Sequence, residues 1–224
     1  MSQIYQIYPG KKKRNFLSNL SITTILILIN VIVFVILIPL LLLNILSLDY
    51  IAIKPSNILA GKYLWTFLTS MFMHGGFFHI LVNMLSLFFV GVLIERVLGR
   101  KRYLYFYLIA GLFAGLFFVL SSLIFKSDFN TYAVGASGAL FGLIGLLMLL
   151  TPNLPVYVMF IPIPIKMKYA APGILIVLWL ISITLNVGIG NTAHLGGLIV
   201  GLIYGFYLRK KYKNKTKFIS KYFS

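Results

Sequence analysis

Apolar residues run along this chain in blocks rather than in stripes. The stretches at roughly 20–44, 78–98, 103–125, 135–151, 170–188 and 192–208 are almost free of charge, and about 20 apolar residues are what an α-helix needs to cross a bilayer. The pattern predicts an all-α membrane protein with six transmembrane helices. The fourth and sixth blocks are short, about 25 Å at 1.5 Å per residue, so their ends can leave a water-filled depression. Between the first two blocks lies a long loop, 45–77, that is itself apolar, with Ile58, Leu59, Tyr63, Leu64, Trp65, Phe67, Leu68, Met71 and Phe72. Short amphipathic helices lying in the membrane interface fit such a loop better than full solvation. The segment 152–168 carries Pro152, Pro155, Pro162 and Pro164, which break a helix and make it a connector.

Composition agrees: 60% of the residues are hydrophobic and 10% charged, where soluble domains carry about 25%. One domain, 20–208, is flanked by basic segments at 1–19 and 209–224. Lys11, Lys12, Lys13 and Arg14 before an apolar run resemble a signal peptide. That run exceeds the usual 7–15 residues and lacks a small-residue cleavage site, so it reads as a retained span. The net charge of +17 raises nucleic acid as a partner, but the cations cluster at the edges of apolar blocks and not along one face. Only Lys54, Lys62 and Lys126 of the 20 Lys and Arg fall on the side opposite the rest. This asymmetry predicts a cell-membrane protein with an even number of spans and both termini cytoplasmic. The basic C-terminal run reads as a solvated tail facing anionic lipid. With no cysteine, disulfides and thiol catalysis are excluded.

Against this apolar background the polar residues stand out, because an ionisable group inside a membrane is costly and by default functional. His79 and Asn83, four residues apart, share a face of the second block. Ser137 begins the fourth block in VGASGALFG, and His194 begins the sixth in NTAHLGGLIVG. These three blocks all start on the outer side, so the clusters lie at similar depth. Gly138 and Gly142, and Gly197, Gly201 and Gly205, recur every four residues, a spacing that lets membrane helices approach closely. Such a contact puts the Ser137 hydroxyl within reach of the His194 imidazole, as a Ser–His nucleophile requires. Each string alone has a structural alternative: GASG as helix packing, His194 as a buried backbone-bonded residue, His79 and Asn83 as helix glue. Only their joint occurrence is specific.

These residues resemble the rhomboid intramembrane protease family. His74, His79 and Asn83 are similar to its H-x4-H-x3-N motif, Gly135–Gly138 (GASG) to GxSG, and the run from Ala193 to Gly201 to AHxxGxxxG. Glu95, Gly99 and Arg100 are similar to its acidic turn, and Trp65 stands where the family often has Trp-Arg. Thr66 replaces that Arg, and Phe141 stands where a Tyr often packs on the histidine. The resemblance implies Ser137 as nucleophile and His194 as general base, His79 and Asn83 stabilising an oxyanion, and His74 supporting the loop. It implies a serine endopeptidase without metal or cofactor, acting on membrane proteins whose transmembrane segments are helix-weakened. A dyad is also what the residues allow, since Asp49, Glu95 and Asp128 are the only carboxylates and none falls near the serine. Substrate access is expected between the second and fifth spans, with movement of the loops 125–134 or 186–192. Two alternatives remain: a catalytically silent rhomboid-like protein that binds clients, and a haem- or metal-binding protein using His79 and His194.

Overall fold

The computed structural model describes residues 20–158, 161–185 and 187–223; the basic segment 1–19 lies outside them. Helix α1 spans Ile22–Leu42, with the Ser21 hydroxyl accepting the Thr24 N–H at its start. Two short helices follow, α2 (Pro55–Leu59) and α3 (Thr66–Thr69). Helix α4 runs through Phe77–Leu98 with one π-type turn at Leu87–Gly91. Helix α5 is Arg100–Ser121 and α6 is Ser137–Leu150. A two-residue antiparallel pair, β1 (Pro155–Val156) and β2 (Ile165–Lys166), closes the proline-rich connector. Helix α7 is Met167–Leu185, α8 is Asn191–Lys211 and α9 is Lys213–Tyr222.

Four of these, α1, α4, α5 and α7, are long and apolar enough to cross a membrane. Their outer faces carry large exposed apolar side chains, such as Ile32, Val35 and Ile36 on α1 and Ile176, Leu180 and Ile183 on α7. A belt of this extent is stable only against lipid, because in water it would drive association. The chain is a membrane protein. Helix α6, at 14 residues, is shorter still than its apolar block. The sixth block, by contrast, is not a short helix. Helix α8 has 21 residues and carries on through Arg209, Lys210 and Lys211, since lysine and arginine propagate a helix well once it has started. The tail beyond is likewise helical.

Small residues set the bundle's centre. A Cβ on Gly197 would collide with the Gly138 carbonyl oxygen, and one on Gly201 with that of Gly142. The matched increments show α6 and α8 side by side and parallel, backbone against backbone. On the other flank α5 runs antiparallel to α6: Ala114 faces Gly138 and Ala110 faces Gly142, at 2.7 and 2.5 Å from where those glycines' Cβ atoms would be. Dense packing of this kind is what holds membrane helices together when lipid removes any hydrophobic drive between them.

The long loop is partly folded onto this bundle. Met71 fills the space over Gly111 of α5, and Ile53 and Phe67 that over Gly115. Ile53 bridges to Ala133, and Thr69 Oγ1 donates to the Ile51 carbonyl at 2.9 Å. Leu59, Leu64, Trp65 and Leu68 stay exposed. Thr66, which stands in place of the arginine common in the resembled motif, is fully buried. At the opposite end Glu95 reaches the start of α1. Its carboxylate accepts the Ile22 N–H at 2.8 Å, the Thr23 N–H at 2.9 Å and the Thr23 hydroxyl at 2.8 Å. The first N–H groups of a helix have no internal partner and carry partial positive charge, so one buried carboxylate fixes α1 to α4.

Candidate active site

Ser137 is the first residue of α6 and His194 the fourth of α8, so the glycine contact between these helices brings their side chains to one level. Ser137 Oγ and His194 Nε2 are 2.8 Å apart. With the hydroxyl donating, Nε2 is the bare nitrogen and the proton resides on Nδ1. Phe141, one turn after Ser137, stacks on the imidazole with centroids 4.6 Å apart and planes at 19°. The ring covers one face of the imidazole.

The turn before Ser137 is built for a close approach. Gly135 has φ +120°, a conformation that side chains rarely adopt. Its N–H donates to the Ser70 carbonyl at 2.8 Å. A Cβ there would stand 2.8 Å from His79 Nε2 and 3.6 Å from Ser137 Oγ, so the imidazole of His79 occupies space that only glycine leaves open. His79 Nδ1 accepts the Gly75 N–H at 3.4 Å, which leaves Nε2 to carry a proton towards the serine side. Asn83, buried, donates to the His79 carbonyl at 2.8 Å, one turn back on α4; its amide nitrogen keeps a second hydrogen.

His74 is brought to the same place. It is fully buried, meets His79 edge to face at 5.1 Å, and accepts the Ala136 N–H at Nε2 across 3.5 Å. Burial, and then the charge of His79 beside it, pushes the His74 pKa down to about 4, so the ring is neutral near pH 7 and free to accept. Its partner Ala136 lies in the GASG turn, one residue from the serine.

None of the three carboxylates is engaged with His194. Glu95 caps α1. Asp49 accepts from Tyr132 and Asn57, both at 2.7 Å, and these bonds hold its pKa below the ordinary value. Asp128 accepts the Thr192 hydroxyl at 3.3 Å, and burial raises its pKa. No group of three or more His, Cys, Asp or Glu side chains is gathered among the described residues in a way that would hold a metal ion.

Residues 61–211 match the family model described as Rhomboid domain. The chain belongs to the rhomboid family. It is 38% identical over 160 residues to RHOMBOID-like protein 1 of Arabidopsis thaliana, covering 69% of this chain and 37% of that protein. It is 31% identical over 156 residues to Rhomboid protease GluP of Bacillus subtilis, covering 66% of this chain and 27% of that protein. Rhomboid protein 1, mitochondrial, of Saccharomyces cerevisiae is 29% identical over 149 residues, 63% of this chain and 41% of its own length. The chain thus spans well under half the length of these relatives. The matched domain, 61–211, takes in α3 to α8 and every motif of the site.

Four contributors to this rhomboid site had no sequence signal of their own. Ser70 and Gly75 act through backbone atoms, which any residue supplies. Ala110 and Ala114 are ordinary helix formers whose smallness counts only once α6 is placed against them.

Proposed function

We propose that this rhomboid-family protein is an intramembrane serine endopeptidase that cleaves transmembrane segments of other membrane proteins with a Ser137–His194 dyad. The observation that carries the reading is the 2.8 Å contact between Ser137 Oγ and His194 Nε2. A nucleophile and a base within hydrogen-bond reach are the minimum that acyl transfer needs. The likeness to Rhomboid protease GluP supports the same reaction class.

In this mechanism Ser137 Oγ attacks the scissile carbonyl carbon as its proton passes to His194 Nε2. The carbonyl oxygen takes up negative charge, and His194 returns the proton to the departing amine. Water then attacks the acyl-enzyme by the same route in reverse. Phe141, packed flat on the imidazole, keeps Nε2 aimed without a carboxylate behind it. His79 and Asn83 serve as oxyanion donors, together with the Ser137 N–H at the start of α6, where the helix dipole favours negative charge. The dyad lies near the outer face, both termini are cytoplasmic, and six helices span the bilayer. The exposed apolar residues of the α2–α3 loop rest at the interface.

Access for a substrate lies between α4 and α7. Helix α7 is buried only at Met167, Ala170, Ala171 and Leu175, all in its first half, and few buried contacts make an element easy to move. A peptide bond inside a stable helix is hydrogen-bonded and shielded, so helix-weakened segments are the substrates.

Two measurements test this. A fluorophosphonate serine-hydrolase probe, added to the reconstituted protein, is expected to form one adduct, on the peptide containing Ser137; labelling absent or placed on another serine overturns the assignment and leaves a client-binding rhomboid. Asn83→Ala is expected to lower the turnover of a membrane substrate by about 10²-fold, the cost of one lost oxyanion donor, with KM little changed. A variant as fast as the parent would remove Asn83 from the site.

A further inference from the structure

Helix α8 ends in Arg209, Lys210 and Lys211, and the single residue Tyr212 (φ −121°, ψ 45°) separates it from α9. One residue of tether holds α9 at the level where a bundle helix leaves the membrane. Thr216 is buried, donating to the Tyr212 and Lys213 carbonyls, and α9 touches α6. One side of the helix is therefore fixed against the protein.

The exposed residues on the other sides are sorted by chemistry. Lys213, Lys217 and Lys221 follow one another at every fourth residue and so share a face. Phe218 and Tyr222, also four apart, form a second face, their rings stacked at 6.5 Å and 70% and 74% exposed. The helix contains four lysines and no acidic residue. Stacked on each other, the two rings still leave most of their apolar surface without a protein partner. A basic, aromatic helix at the membrane surface does have a fitting partner, because its rings can enter the acyl boundary while its ammonium groups meet phosphates. Lys211, which donates to the Tyr207 hydroxyl at 2.7 Å, keeps its charge but belongs to α8 and not to this face.

We propose that α9 is a lipid-recognising interfacial helix that seats on anionic headgroups of the leaflet where α8 ends. The energy follows from charge: each lysine brought to an anionic surface favours the seated state by about fivefold, so the triad contributes about 10²-fold. The inference needs only that the chain is a membrane protein, and not that it is a protease.

The test uses the absence of cysteine from the chain. Tyr222→Cys in the full-length protein accepts an environment-sensitive fluorophore in place of one ring. The labelled protein is reconstituted in phosphatidylcholine vesicles and in vesicles that also contain phosphatidylserine. Emission is expected to shift to the blue only in the anionic vesicles, to return with raised salt, and to stay unshifted when Lys213→Gln, Lys217→Gln and Lys221→Gln are combined. Equal emission in both vesicles overturns the proposal, as does a shift that survives the triple replacement. A probe that ignores both vesicles yet responds to an added oligonucleotide assigns the face to nucleic acid and overturns it too.

Discussion

Ser137→Ala and His194→Ala are each expected to lower cleavage of a transmembrane substrate by about 10⁴–10⁶-fold, and the double variant is expected to be no slower than either single one. The non-additivity is the diagnostic part. A serine without its base is an alcohol of ordinary reactivity, and a base without its serine has no proton to take, so either loss removes the whole unit. Ser137→Ala deletes one hydroxyl and one hydrogen bond, a cost of about 1 kcal/mol, and should leave the melting temperature of the detergent-solubilised protein within a few degrees. His194→Ala also removes the ring beneath Phe141 and should melt somewhat lower. The comparison is made in reconstituted vesicles on one substrate. Additive losses would mean that the two residues act separately, and unchanged turnover would mean that the nucleophile lies elsewhere.

The site was legible in the sequence because the membrane supplies the contrast. In a chain this apolar, His74, His79, Asn83, Ser137 and His194 are conspicuous, and block order alone predicts three of the clusters at one level. The glycine spacing added proximity, and the parallel α6–α8 contact has the register that spacing implies. What the sequence hid were pairings between segments far apart. Glu95 was visible as an acidic turn, but the N–H groups it accepts belong to Ile22 and Thr23, more than seventy positions earlier. A helix start capped by a distant carboxylate leaves no local mark beyond the Ser21 cap. Helix ends were equally opaque. The apolar block stops at 208, yet α8 goes on through three basic residues that hydropathy counts as exterior and helix propensity counts as favourable. The same blindness left the tail, read as solvated and facing anionic lipid, without a helix, although its lysines and rings recur with helical spacing.

Gly197→Ala adds a single methyl group, and two opposed effects decide its outcome. Alanine is the better helix former by about 1 kcal/mol, which taken alone would stabilise α8. The new Cβ, however, meets the Gly138 carbonyl oxygen inside van der Waals contact and lies 3.3 Å from the Gly142 N–H. These are backbone atoms of a helix and have no rotamer through which to yield, so α6 and α8 must separate. Forcing a methyl into a packed interface costs about 1–3 kcal/mol and occasionally more, and the backbone nature of the obstacle puts this site at the upper end. The net expectation is destabilisation by about 2 kcal/mol. Activity should fall much further, by about 10²-fold, because a displacement near 1 Å stretches a 2.8 Å contact beyond hydrogen-bond reach. Gly173→Ala is the matching control: it lies within α7 with nothing near its would-be Cβ, so propensity acts unopposed and a gain of about 0.5–1 kcal/mol is expected. Thermal unfolding of both variants, with probe labelling of Ser137 in each, separates the two effects. If Gly197→Ala proved as stable and as readily labelled as Gly173→Ala, the backbone contact between α6 and α8 could not be what holds the serine against the histidine.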